Sequence, residues 1–181
     1  MRKESVMKKS IYLIIAFFVT ITSCDTVDKL LTFKIKNEAE IVIPSTVGIN
    51  TPISIPTPDV QTNSQQSFEN NNTKKDLVKN VKLTSLVLQI LEPEDQTFSF
   101  LKKITIYISA EGLPEKKLAY LDEIPVDAGK EITLIPTQEN LDEYIKKDAF
   151  SIRTEAVTDK AFIHDIRINA KMEFTVTADI L

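Results

Sequence analysis

Few side chains in this 181-residue chain have types suited to chemistry, and their spacing limits what they can do. There is one histidine, His164, one cysteine, Cys24, and no tryptophan. His164 can be paired on paper with Asp159 or Asp165 as general base and orienter, and serines are available as nucleophiles. A triad, however, needs all three groups fixed in one geometry, and no Gly-x-Ser-x-Gly elbow stands in the chain to hold a serine. The plainer expectation is a histidine at a sheet rim, on the apolar parity of the last strand near its start. One histidine and one cysteine make no zinc set. Glu92, Glu94 and Asp95 in "EPEDQT", and the pair Asp122-Glu123, offer oxygens without the ligand order or glycine of a calcium loop. They read as solvated turns. Gly48, Gly112 and Gly129 stand far apart, so no run of glycines cradles a phosphate. Tyr107, Tyr120 and Tyr144 could stack on a sugar, yet each is an ordinary amphipathic residue for an element edge. The expectation is no catalytic residue, no metal and no cofactor.

Cys24 sits in a different context. Arg2, Lys3, Lys8 and Lys9 form a basic leader, with Glu4 its single acid, and Ile11 to Ile21 is apolar but for Thr20. Ser23 is small and Cys24 follows. A basic region, an apolar core of about 7–15 residues and a small-residue cleavage site describe a secretory signal peptide. The apolar span falls short of the roughly 20 residues that cross a bilayer comfortably. Met7-Lys8-Lys9 would serve equally as its start. Ile21-Thr22-Ser23-Cys24 resembles the bacterial lipobox, an aliphatic residue and two small or β-branched ones before cysteine. The resemblance covers residues 1–24. It implies cleavage before Cys24, diacylglycerol on the Cys24 sulfur and a further acyl chain on the new amino terminus. The chemistry suits a thiol, whose thiolate is the nucleophile, and stable anchoring needs more than one chain. The implied partner is the membrane, through acyl chains on Cys24. The implied location is the cell envelope, with the outer membrane, facing either the periplasm or the outside, as the first expectation. The inner membrane is the alternative, since Asp25 after Cys24 matches the retention signal of some bacteria.

Two consequences follow for what remains. A secreted chain without a second cysteine has no disulfide, so its fold must rest on core packing. Losing the leader removes four of the 22 basic residues and one of the 26 acidic ones, which moves the formal charge from −4 to −7. Such a surface argues against nucleic acid or anionic lipid as a partner.

The elements that must carry these residues are mostly strands. "TFKIKNEAEIVI", 32–43, alternates with Phe33, Ile35, Ile41 and Ile43 on one parity, as one strand or a split one. A Pro-, Ser-, Asn- and Gln-rich stretch follows. Its prolines confine a strand at Ile53–Ile55 to an edge, and a polar loop is expected over about 57–73. Thr73-Lys74-Lys75-Asp76 has the form of a capping box opening a short helix through Leu77, Val78 and Asn80. Val81 and Leu83 share one parity and Leu86, Leu88 and Ile90 the other, which predicts a β-bulge near Thr84-Ser85. Phe98, Phe100, Ile104, Ile106 and Ile108 line the next strand, interrupted by Lys102. Short strands are expected at Leu118–Leu121 and Ile132–Ile135, then a short helix capped by Asn140 and ending at Lys146-Lys147. Phe150 to Ala156 and Phe162 to Ile180 alternate regularly about the turn "TDK" and read as a long hairpin.

Strands without a βαβ rhythm point to an all-β, antiparallel, immunoglobulin-like β-sandwich with one or two short helices, behind a signal-peptide helix. The domain limits expected are 1–23 for the cleaved signal, 24–31 for a short tether and 32–181 for the sandwich. "IPVDAGKEITLIPT", leading into one short helix and a final long pair of strands, is similar in element order to the LEA14-like sandwich. "SFENNNTKKDLVKNVKLTSL", "FLKKITIYISAEGLPE" and "LDEYIKKDAFSIRT" resemble envelope lipoproteins. That resemblance implies a fold and no activity. The functional expectation is a lipid-anchored, non-enzymatic binding or scaffolding module whose partner is an unknown protein or small molecule. The competing expectation is a carrier of a small apolar ligand or lipid between the sheets.

Overall fold

A computed structural model describes residues 31–181. The signal segment, the lipobox residues Ile21, Thr22 and Ser23, Cys24 and nearly all of the tether lie outside the described residues. The elements are β1 (Leu31–Ile43), β2 (Pro52–Pro56), β3 (Val60–Gln61), α1 (Ser64–Asn70), β4 (Val78–Glu92), β5 (Leu101–Ala110), β6 (Leu113–Leu121), β7 (Glu131–Pro136), α2 (Asp142–Ile145), β8 (Ala149–Thr158) and β9 (Ile166–Ala178). Single 3-10 turns at Lys75–Leu77 and Phe98–Phe100 lead into β4 and β5. Leu31, expected to end the tether, already pairs as the first residue of β1.

Every pairing is antiparallel, and the strands follow the order β1-β9-β4-β7-β6-β5-β8-β2. The sheet is curled. β6 and β7 join its halves through only Ala119↔Pro136 and Tyr120↔Ile135, so two four-stranded layers face one another. Strands pair as nested couples, first with last (β1 with β9), then β2 with β8, β4 with β7 and β5 with β6. That nesting is the winding of a jelly roll. It realises the expected all-β antiparallel sandwich.

The winding corrects one expectation. β8 and β9 are consecutive and both alternate, but they are not a hairpin. β8 pairs with β5, β2 and β3, whereas β9 pairs with β1 and β4. The segment 159–165 carries the chain from one layer to the other. Period-two alternation states which face a strand buries, not which strand lies beside it. Both strands bury one face in the same core from opposite sides, and the Phe150 and Phe174 rings meet there edge to face, 6.0 Å between centroids.

Local expectations fare unevenly. β1 is one unbroken strand, because Asn37 takes an inward position among Phe33, Ile35, Ala39, Ile41 and Ile43. Its Nδ2 donates to the carbonyls of Gln61 (2.9 Å) and Thr62 (3.3 Å), while its buried Oδ1 has no partner among the described residues. The bulge in β4 is present, with a register shift between Leu83 and Ser85 that lets both apolar parities face inward. A second shift, between Leu101 and Lys103, explains the interruption in β5. There Leu101 takes the inward position and Phe98 and Phe100 belong to the preceding 3-10 turn.

The capping box at Thr73 does not open a helix. Only the 3-10 turn Lys75–Leu77 forms before β4 takes over at Val78, and Thr73 Oγ1 donates instead to the Asp179 carbonyl at 2.7 Å. Tertiary pairing with β9 outweighs a short local helix signal. Within the expected 57–73 loop lie β3 and the seven-residue α1. Buried Phe68 pins α1 with its ring edge-on to Phe33, and buried Thr62 donates to the carbonyls of Lys147 and Asp148.

Candidate functional site

The register divides the molecule into two ends. Leu31 and Val78 both pair with Ala178 at one end, whereas Ile43 pairs with Ile166 and Glu92 with Arg167 at the other. The segments 44–51, 93–100, 122–130 and 159–165 therefore all lie at the end away from Leu31. Thirteen residues of β1 at about 3.3 Å each put roughly 40 Å between that end and the start of the described chain.

These four segments are stitched into one crown. The Ser45 amide donates to Asp165 Oδ1 at 2.8 Å, and this bond holds the Asp165 carboxyl below its ordinary range. Asn50 N donates to Thr158 O at 2.7 Å, Asp159 N to Phe100 O at 3.0 Å and Phe98 N to Gly129 O at 2.8 Å. Beneath the crown Phe98 stacks on Phe100, and Phe162 meets Phe100 edge-on at 5.0 Å, closing this end of the core. Above that floor Ile163 and Val126 are 85% and 81% exposed, with Ile49 and Leu91 about half exposed. The crown segments also hold Glu94, Asp95, Asp122, Glu123, Asp127, Asp159 and Asp165 against Lys130 and Lys160. This end thus carries exposed apolar residues together with an excess of exposed carboxylates.

His164 lies exposed in the crossing segment 159–165, before β9 begins, and not on the strand's apolar face. The strand's inward positions begin only at Ile166. No described residue hydrogen-bonds its ring, and the Asp165 carboxylate is turned to Ser45. Glu92, Glu94 and Asp95, and Asp122 and Glu123, are exposed, and among the described residues no three His, Cys, Asp or Glu side chains gather as metal ligands. Each candidate tyrosine has a cation over its face. Arg153 lies 4.3 Å from the Tyr107 centroid, Lys117 5.4 Å from Tyr120 and Lys116 5.7 Å from Tyr144, whose buried hydroxyl donates to Pro114 O.

Sequence reasoning missed the cluster around Arg153 on the outside of the second layer. Its guanidinium clasps Glu115 through Nε (2.8 Å) and Nη2 (2.6 Å), and Nη1 reaches Glu155 (2.6 Å) and Ser54 (3.1 Å). Tyr107 donates to Glu155 at 3.1 Å, so one cluster crosses β2, β8, β5 and β6. Arg153 holds both carboxyls below their ordinary values, and its own pKa is raised by them. Burial first, then the bond to Glu155, raises the Tyr107 phenol. All three guanidinium nitrogens are engaged, which makes the cluster a brace. Alternation sets Arg153 and Glu155 opposite Ile152 and Ala156, but only the pairing order shows that they meet Glu115 and Ser54.

No family model matches the chain, and no curated protein matches it. Among solved structures the chain is similar to the decameric BFDV capsid protein, at 9% identity and a TM-score of 0.40, over 83% of this chain and 99% of that one. A likeness at that level carries no argument. No described helix is long and apolar enough to cross a membrane.

Proposed function

We propose that this protein is a lipid-anchored envelope lipoprotein, held at the outer membrane by acyl chains on Cys24, and that it works as a non-enzymatic binding or scaffolding module. The anchor rests on the leader and on Ile21-Thr22-Ser23-Cys24. The binding role is supported by one observation above the rest. Four loops form a single hydrogen-bonded crown with exposed apolar tips, at the end opposite the point where the tether joins. A single exposed apolar residue needs no explanation, but several on loops bonded to one another at one end fit an interaction site. The excess of carboxylates at this end favours a protein partner presenting basic as well as apolar groups. Metabolic labelling with a fatty-acid probe tests the reading. The parent chain incorporates label and fractionates with membranes, and Cys24→Ser loses both. Equal labelling and fractionation of the two would overturn it.

A further inference from the structure

The two edges of the rolled sheet are guarded unequally. β2 has five residues and is bounded by Pro52 and Pro56, which cannot donate to a neighbour. β1 has thirteen residues and no proline, and no described residue pairs with its outer edge. A groove of about 550 Å³, lined by Lys36 to Glu40, Val42 and residues of 58–63, runs beside it. Charges ordinarily keep such an edge from pairing with a second copy. Here their order does the reverse. The solvent face of β1 carries Lys34, Lys36, Glu38 and Glu40 in sequence. A second β1 laid antiparallel about Asn37 sets Lys34 against Glu40 and Lys36 against Glu38, twice over.

We propose that β1 is a self-association edge, through which two copies join by antiparallel β1 strands with Asn37 opposite its counterpart. The interface is isologous, as a two-fold requires, and continues one layer of each copy into a single sheet. The register is specific. Shifting it by two residues sets Lys36 against Lys36 or Glu38 against Glu38, and shifting it by one exchanges the faces. The charges also extend a pattern already present within one copy. Lys34 pairs with Glu173 at 2.7 Å, and Glu40 with Arg167 at 2.9 Å. Across the joined strands the row reads Glu173, Lys34, then Glu40 and Arg167 of the second copy, alternating in sign over four strands. The Lys34 and Lys36 side chains are 61% and 76% exposed and so have room for a second partner. The two tethers leave such a pair from opposite ends. If the anchor reading holds, the strands lie along the membrane, with a crown open at each end. The pairing itself does not depend on that reading.

The test co-expresses two full-length copies carrying different affinity tags and measures their co-purification in a non-ionic detergent. The native pair co-purifies. K34E/K36E with itself, and E38K/E40K with itself, drop at least tenfold, because each row then has one sign. K34E/K36E with E38K/E40K recovers the native yield, an outcome that simple loss of folding would not produce. Absence of native co-purification overturns the proposal, as do single-sign pairs that co-purify like the native one or a mixed pair that fails to recover.

Discussion

Arg153 shows what one side chain does on this surface. Glu115 and Glu155 are held below their ordinary value of 4.5 by its hydrogen bonds. A carboxyl lowered in the folded state contributes stability that is present above its unfolded pKa and is lost as pH falls through the folded one. Urea unfolding of the native chain should therefore show stability falling below about pH 4.5, and Arg153→Leu should flatten that acid limb. At pH 7 the same change costs only about 1 kcal/mol, since the cluster is partly solvent-exposed. Glu40 and Glu173, lowered by Arg167 and Lys34, lose their pairing in the same pH range. An acid limb as steep in the variant as in the parent would show that the brace is energetically silent.

Among the elements, β4 offers the sharpest test, because its bulge was legible as a parity change and is present between Leu83 and Ser85. Thr84 is the extra residue. Removing it leaves Val81, Leu83, Leu86, Leu88 and Ile90 on one continuous parity, so the deletion should fold with a cooperative melt. Deleting Val87, inside the regular stretch, turns Leu88 and Ile90 outward or forces a new bulge. Leu88 and Ile90 are 0% and 5% exposed, and turning each outward costs about 1.5–3 kcal/mol. Circular dichroism on heating separates the two deletions. Where sequence misjudged an element, at the Thr73 capping box and in the 57–73 loop, the deciding groups were distant in the chain. Thr73 bonds to Asp179, and Phe68 packs on Phe33.

At the scale of the whole molecule, the core and the crown should respond oppositely to substitution. Phe174 is fully buried where the layers meet, and Phe174→Ala should cost about 3–5 kcal/mol. Ile163→Asp and Val126→Asp change tips that touch little, and each should stay within about 0.5 kcal/mol of the parent. Denaturant titration checks all three. A large loss at either tip would show that the crown's apolar residues serve the fold and are not held out for a partner.

The amino-acid sequence by itself determined which face each strand buries, where β4 bulges and why prolines blunt β2, because alternation and missing donors are local properties. It also carried the basic leader, the apolar run and the cysteine that follow one another before residue 25. Only the tertiary structure decided that β8 and β9 part into different layers, that Arg153 meets Glu115 across three strands, and that four separate loops gather at one end. Pairing partners are chosen by how a single core closes, and every strand here presents the same kind of apolar face to it. That shared face makes the class of fold readable from the chain and leaves the neighbours to packing.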